Sequence, residues 1–541
     1  KKVGKKARTC YLSRGAENRS WQALKESEER QMNFTERRKQ VFDKMDQDSA
    51  LLLFSGIELH VSADEYLPFE ANRNFFYLTG LRRDHMILMM KKTAKEEKSI
   101  LFIEKADPSQ ERWFGRKVTV SEAQEITGID DVRFLDSFEG MVNRLMARED
   151  IGTLYFDCYR YQVEDLPDYN MVKAEEFAKK FPGRPIKNIA PVIAALRMQK
   201  DEDEIALRQA IKITDDALKF VMKNLKPGCT EYQAQADFEY KIFHEGADGT
   251  AFPTIAGSGA NGTMLHYDTN RDVCEDETLL LMDLGAKFQG YCADITRTYP
   301  VNGKYTDRQR QVYDVVLAAN RAVAKAAKPG MTLKELDDIA KDVLGEGCVK
   351  LGLIEKKEDV GTYYMHGVSH HLGIDVHDVT AAWNDKLRPG AIITDEPGLY
   401  IDEWEIGIRI EDDILHSQIT KLLHFTGKIQ ENFLYQILIM RFFLHTLRSS
   451  LHMHHNIRYS QFGYCCKHPV IHLTGCYIID NSNSVFLHTA FCHLRPKCIY
   501  GNDSLRMIPV QDFQPGTKSA HLFFSRNMFG IRTRRISAYI N

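Results

Sequence analysis

Four carboxylates and one imidazole are the residues of this chain most able to do chemistry. Asp283 and Asp294 lie in MDLGAKFQGYCADITRTYP, His370 in HGVSHHLGIDVHD, Glu396 in DEPGLYI and Glu411 in GIRIEDD. Oxygen donors with a single nitrogen suit a hard or borderline divalent ion, Mn(II) first, with Co(II) or Zn(II) admissible, better than an ion that prefers thiolate. Two such ions about 3.5–4 Å apart can activate water and stabilise a tetrahedral intermediate. The residue set alone therefore points to metal-assisted hydrolysis.

The elements that must position these groups read as strands. Leu279–Asp283 and Tyr291–Ile295 flank a turn between Gly285 and Gly290. A hairpin centred at Phe288–Gln289 sets Asp283 directly opposite Asp294, where cross-strand Cβ atoms are about 4.5–5.5 Å apart. Like carboxylates that close need a cation or a proton between them. In Ile406–Glu411 the isoleucines alternate, so Arg409 and Glu411 share the opposite face. Arg409 there either orients a metal-binding carboxylate or grips a substrate carbonyl.

The sequence also repeats itself. Lys226-Pro227-Gly228-Cys229-Thr230 recurs as Lys328-Pro329-Gly330-Met331-Thr332, each between two helical stretches, with the threonine as expected N-cap. An acidic strand pair follows each copy, Asp283 and Asp294 after the first, Glu396 and Glu411 after the second. A duplicated half-domain with a metal site at the junction is the expectation.

At these residues the sequence resembles the metallopeptidases of the pita-bread fold, family M24, and within them the Xaa-Pro aminopeptidases. MDLGA, ADITRTYP, HGVSHHLGIDVHD, EPGLYI and GIRIEDDI carry the resemblance, with GSGANGTMLHY and ANRNFFYLTG upstream. It implies an α+β chain: an α/β creatinase-type N-terminal domain over 32–195, a linker near Leu196–Lys200, and a pita-bread catalytic domain over 200–415. It implies Asp283, Asp294, His370, Glu396 and Glu411 as ligands of two divalent metals, with Glu396 also the proton shuttle. His266, His366 and His377 match active-site histidines that meet substrate or intermediate, and Arg409 a residue near the substrate backbone. His371 is expected to be structural. The implied reaction releases the first residue of peptides with proline second. A prolidase acting on Xaa-Pro dipeptides shares the same site, and a non-catalytic peptide-binding module shares the fold. The N-terminal domain argues against a methionine aminopeptidase. The resemblance also implies a homo-oligomer, dimer or tetramer.

At 541 residues the chain has room for at least two domains. Its near-neutral charge hides an asymmetry. His416–Asn541 holds 14 of the 72 Lys+Arg but only 4 of the 75 Asp+Glu, about +10 against about −13 on the remainder. The tail also carries 11 of the 19 histidines and 5 of the 11 cysteines. Cys465, Cys466, Cys476, Cys492, His493 and Cys498 lack zinc-finger spacing. Phe433–Met440 is too short to span a bilayer before Arg441. Its dispersed charges match no nucleic-acid module. Residues 416–541 are therefore expected to stand outside the family fold, as after a reading-frame change. Residues 1–31 read as a non-native or disordered leader, with Met32 as the natural start. Neither a nucleic-acid partner nor a membrane is expected. Scattered cysteines at 158, 229, 274, 292 and 348 fit a reducing cytoplasm.

Overall fold

A computed structural model describes residues 33–148, 151–200, 204–380 and 384–415, with the strand segments 423–424, 476–479, 485–488, 519–522 and 536–539. The leader and most of the tail, including the Cys465–Cys466 cluster and Phe433–Met440, lie outside the described residues.

The N-terminal part is a six-stranded mixed sheet in the order 131–134, 97–103, 87–92, 49–54, 153–156, 186–188. Its central strand, SALLLF, is buried throughout. This is the pattern of a strand covered on both faces. Leu51 and Leu53 enter one core with Leu88, Met90, Leu101 and Ile103, while Ala50, Leu52 and Phe54 enter the opposite one with Met89, Ile100 and Phe102. The first core continues into the C-terminal part through Tyr291, Cys292, Leu372, Ile374 and Ile392. The segment singled out as ANRNFFYLTG forms the helix Arg73–Thr79, opened by the Asn72 side chain on the Phe75 amide and closed by Gly80 at φ +73°. That sign of φ favours glycine.

The C-terminal part is built twice. Helices Glu204–Asn224 and Glu231–His244 precede strands 279–284, 286–288, 291–292 and 295–300; helices Asp307–Ala326 and Leu333–Leu351 precede strands 392–395, 398–401, 406–409 and 412–415. In each half an outer strand pair is continued by an inner hairpin. The KPGxT turns are equivalent in detail. Thr230 and Thr332 each form a capping box, with Gln233 and Glu335. Each also makes an antiparallel bridge, to Val273 and to Lys386. Gly228 and Gly330 donate to the Cys274 and Leu387 carbonyls at 2.9 and 2.8 Å. The repeat read from ten residues thus extends through both half-domains.

The hairpin expected at Phe288–Gln289 is displaced. Its turn is Gln289–Gly290, both at positive φ, and Phe288 pairs with Tyr291. Two such residues are the backbone of the turn that matches strand twist. Moving the centre by one residue moves the register by two, so Asp283 faces Thr296 rather than Asp294. An even shift keeps both acids on one face. Gly285 is where the outer strand passes into the hairpin, and a Cβ there would lie 1.8 Å from the Ala293 carbonyl oxygen.

The segment expected as a linker, Leu196–Lys200, is not a free tether. Arg197 and Lys200 are 3% and 1% exposed and both pair with Asp378. The chain divides into two compact units, Lys1–Phe442 and Phe443–Asn541. In the second, the described residues form two antiparallel pairs, 476–479 with 485–488 and 519–522 with 536–539. Among the described residues no helix is long and apolar enough to cross a membrane.

Candidate metal centre

The acidic residues sit at or beside the breaks between outer strands and inner hairpins. Asp294, Glu396 and Glu411 occupy the breaks themselves, and Asp283 lies two residues before the fourth, at Gly285. A break frees a residue from ladder geometry and lets its side chain turn inward. Both halves thereby aim two carboxylates at one point. Donor atoms of Asp294, His370 and Glu411 all lie within 4.8 Å of one another. His370 Nε2 is 3.4 Å from Asp294 Oδ2 and 3.5 Å from Glu396 Oε1. His370 Nδ1 lies 3.0 Å from the His371 carbonyl oxygen, which can only accept, so it carries the proton. That leaves Nε2 with a free lone pair facing the carboxylates, the tautomer a metal ligand needs.

A web of hydroxyls and one guanidinium holds these carboxylates. Thr296 Oγ1 donates to Glu411 Oε2 at 2.6 Å, and Thr394 Oγ1 to Glu396 Oε1 at 3.3 Å. Arg409 donates to Asp283 Oδ2 at 2.5 Å, to the Tyr400 hydroxyl at 2.8 Å and to Thr296 Oγ1 at 3.2 Å. Of the two roles open to Arg409 from sequence, the geometry favours orienting a carboxylate. Three of its five N–H donors are engaged in this way, which supports the orienting role. Thr296, Thr394 and Tyr400 were not singled out from sequence. Each lies close to a candidate ligand in sequence: Thr296 stands two residues after Asp294 and Thr394 two before Glu396.

His366 is held at both ring nitrogens. Its Nδ1 meets the Gly367 carbonyl and its Nε2 the Tyr400 hydroxyl, each at 2.8 Å, and its ring packs beside Tyr364. His266 and His377 differ. Both are exposed at the mouth of the site, and neither ring has a hydrogen-bond partner among the described residues. His377 packs edge-on against His370, with centroids 4.4 Å apart. His371 is buried and bridges Ile393.

Burial pushes Asp294 and Glu411 far above the ordinary carboxylate range, and the neighbouring acids push them further. Burial also raises Glu396 to about 8, with Arg409 opposing and Asp283 reinforcing. Burial, then His377, lowers His370 to about 3, so its ring is neutral. Among the described residues, the buried oxygens Asp283 Oδ1 and Asp294 Oδ1 have no hydrogen-bond partner. Orphaned buried acceptors, mutual repulsion and a neutral imidazole together fit divalent cations.

A pH dependence follows. Glu396 titrates at 4.5 when unperturbed and at about 8 here. The stability from its protonated form is complete below the lower value and is lost as pH rises through the upper. A divalent ion bound there would replace that proton. The gap in melting temperature between Mn(II)-loaded and chelator-treated protein is therefore expected to widen from about pH 5.5 to about pH 8. Scanning fluorimetry at both pH values measures it, and a constant gap would contradict the assignment.

Residues 205–418 match metallopeptidase family M24, and residues 34–155 match the aminopeptidase P N-terminal domain. Over 415 residues the chain is 34% identical to the Xaa-Pro aminopeptidase of Escherichia coli, spanning 72% of this chain and 94% of that protein. The chain belongs to metallopeptidase family M24. A Bacillus anthracis structure provisionally assigned as an aminopeptidase P is similar with TM-score 0.72 and 39% identity, over 73% of this chain and 95% of that one. Zinc-substituted Escherichia coli aminopeptidase P in complex with product is similar with TM-score 0.66 and 31% identity, over 73% and 95%. As an M24 member the chain has the family's α+β architecture, a pita-bread catalytic domain behind an aminopeptidase P N-terminal domain. Membership also implies divalent metal ions.

Proposed function

We propose that this chain is a dinuclear metal-dependent aminopeptidase that releases the N-terminal residue from peptides with proline in second position. The observation that carries this reading is the convergence of Asp283, Asp294, His370, Glu396 and Glu411 from both half-domains onto one buried point. We assign these five as the ligands and Mn(II) as the preferred ion. When bound, two divalent ions lower the pKa of water and polarise a carbonyl.

The residues do the remaining work. Arg409 and Thr296 hold Asp283 and Glu411 in place. Glu396 is less deeply buried than Glu411, with its side chain 16% exposed, and its raised pKa suits a group that accepts a proton and returns it to the leaving nitrogen. His377, with free ring nitrogens, donates to the oxygen that gains charge. His266 stands near it and orients the prolyl portion. His366, clamped by Tyr400, offers a ring face to the pyrrolidine. The X–Pro amide nitrogen carries no hydrogen and its ring fixes φ. A pocket lined by ring faces accepts that shape without needing the missing N–H.

The alternative with the same chemistry is a prolidase, and the N-terminal domain favours the aminopeptidase. A non-catalytic module is the reading from another class, and the retention of all five ligands disfavours it. We further assign domain limits 32–195 and 200–415, a cytoplasmic setting from the free cysteines, and a homo-oligomer. Leu59, Val61 and Leu67, all exposed on one N-terminal hairpin, and Ile57 just before it support the last. The deciding assay compares Xaa-Pro with Xaa-Pro-Yaa-Yaa hydrolysis by the full chain loaded with Mn(II). Release of Xaa from the longer peptide is expected. Cleavage of the dipeptide alone would indicate a prolidase, and metal-loaded, folded, inactive protein would leave the module reading.

A further inference from the structure

His377 is the one histidine packed against His370 whose ring is tied to nothing among the described residues, yet a group that must meet a transition state needs a fixed position. Its backbone must supply that position. The loop from Gly373 to Asp378 is held at two points on either side of His377, by Asp375 and by Asp378. Arg73 Nε donates to Asp375 Oδ1 at 2.6 Å, and Arg197 Nη2 to Asp375 Oδ2 at 3.0 Å. Arg197 also bonds Asp378 Oδ1, and Lys200 Nζ lies 2.9 Å from Asp378 Oδ2. The Arg197, Lys200 and Asp378 side chains are 3%, 1% and 1% exposed. The Asp378 amide closes the loop on the His371 carbonyl at 2.9 Å. Gly373 leaves no room for a Cβ, which would meet Asp378 Oδ2 at 2.2 Å and the Lys200 side chain at 2.5 Å.

All three cations come from outside the half-domain that carries the loop. Arg73 opens the N-terminal helix Arg73–Thr79, and Arg197 and Lys200 stand where the chain leaves the N-terminal part. The same N-terminal segment grips the other half-domain, through Glu70 on Lys287 at 2.6 Å and Arg82 on Asp248. We infer that Arg73, Arg197 and Lys200 are positioning residues for His377, acting through Asp375 and Asp378, so that the N-terminal domain and the segment leaving it set the geometry of a group in the reaction. This deepens the proposed function and rests on it for the role of His377. The competing reading is an ion cluster that only glues two layers together. A cluster that merely joined layers would not need to straddle one short loop around the only ring in the described site that lacks a tether and touches a ligand.

Arg73 is the position to perturb. Its side chain is a third exposed, and Asp375 keeps Arg197 when Arg73 is lost. In the full Mn(II)-loaded chain, R73M is expected to lower kcat on an Xaa-Pro-Yaa-Yaa peptide about ten- to a hundredfold. KM and metal content should stay within about twofold, and R73K should recover most of the loss. A second readout does not depend on activity. With fluorohistidine incorporated and the His377 signal assigned by H377Q, the 19F resonance of His377 is expected to shift or broaden in R73M and to return in R73K. D378N, isosteric and still able to accept from the Val379 amide, should disturb the same resonance more strongly. An unchanged His377 resonance in both R73M and D378N would overturn the inference, as would parallel loss of metal and activity. If the parent chain cleaves no proline peptide, the proposed function fails, while the resonance still decides whether the cluster positions His377.

Discussion

Glu411→Ala is expected to abolish peptide hydrolysis and to release one or both metal ions, while raising the thermal stability of the metal-free protein. The three effects share one cause. Glu411 is 1% exposed and lies among Asp283, Asp294 and Glu396, and burial with those neighbours lifts its pKa far above the carboxylate range. Without a cation it adds repulsion to a crowded point, and its removal relieves Asp294 directly. The opposing loss is the Thr296 hydrogen bond, worth about 1 kcal/mol. With metal present the balance reverses. Ligand-linked stabilisation is about 2.7 kcal/mol at a hundredfold excess over Kd, and the variant forfeits it. Plasma emission spectrometry for metal and melting curves with and without chelator measure both halves. Unchanged metal content would remove Glu411 from the ligand set. A metal-free protein that melts lower than its parent would show that the lost hydrogen bond outweighs the relieved repulsion.

Arg409→Met is expected to be the more damaging change to the fold. Its guanidinium is buried and donates to Asp283, Tyr400 and Thr296 at once. Methionine fills similar volume but leaves two acceptors unserved and a buried carboxylate without its partner. Breaking a buried ion pair from one side costs about 3–5 kcal/mol. Lysine is expected to rescue little, because a point charge cannot reproduce three directed donations. Urea denaturation of the metal-free proteins separates this loss from any loss of metal. Stability within about 1 kcal/mol of the parent would show the pair to be screened by water. Because Tyr400 also fixes His366, loosened proline selectivity should accompany the change even in protein that remains folded.

Much of this site was legible in the sequence because its determinants are local. Ile406, Ile408 and Ile410 alternate into one core, as their spacing implied. The ten residues of the two KPGxT turns announced a duplication that extends to hydrogen bonds and bridges. What was missed depends on single residues or on distant partners. The register of Asp283 turned on whether Phe288 or Gln289 begins the turn, and positive φ at a glutamine is not a pattern that sequence advertises. Arg197 and Lys200 looked like the charged edge of a linker because Asp378 lies about 180 residues away. One hydroxyl, that of Tyr400, engages both Arg409 and His366, a link that no local spacing announces.

The two-half construction has a consequence for the order of events in folding. Asp283 and Asp294 are joined by one hairpin, but their counterparts Glu396 and Glu411 lie beyond two further helices in the chain. No early, local stretch of chain contains the complete binding site. Contacts of such large sequence separation form late. Metal ions should therefore leave the refolding rate almost unchanged and act on the opposite limb, slowing unfolding, because the interactions they make are absent from the transition state. The ion would then serve as a latch on a finished structure rather than a nucleus for an unfinished one.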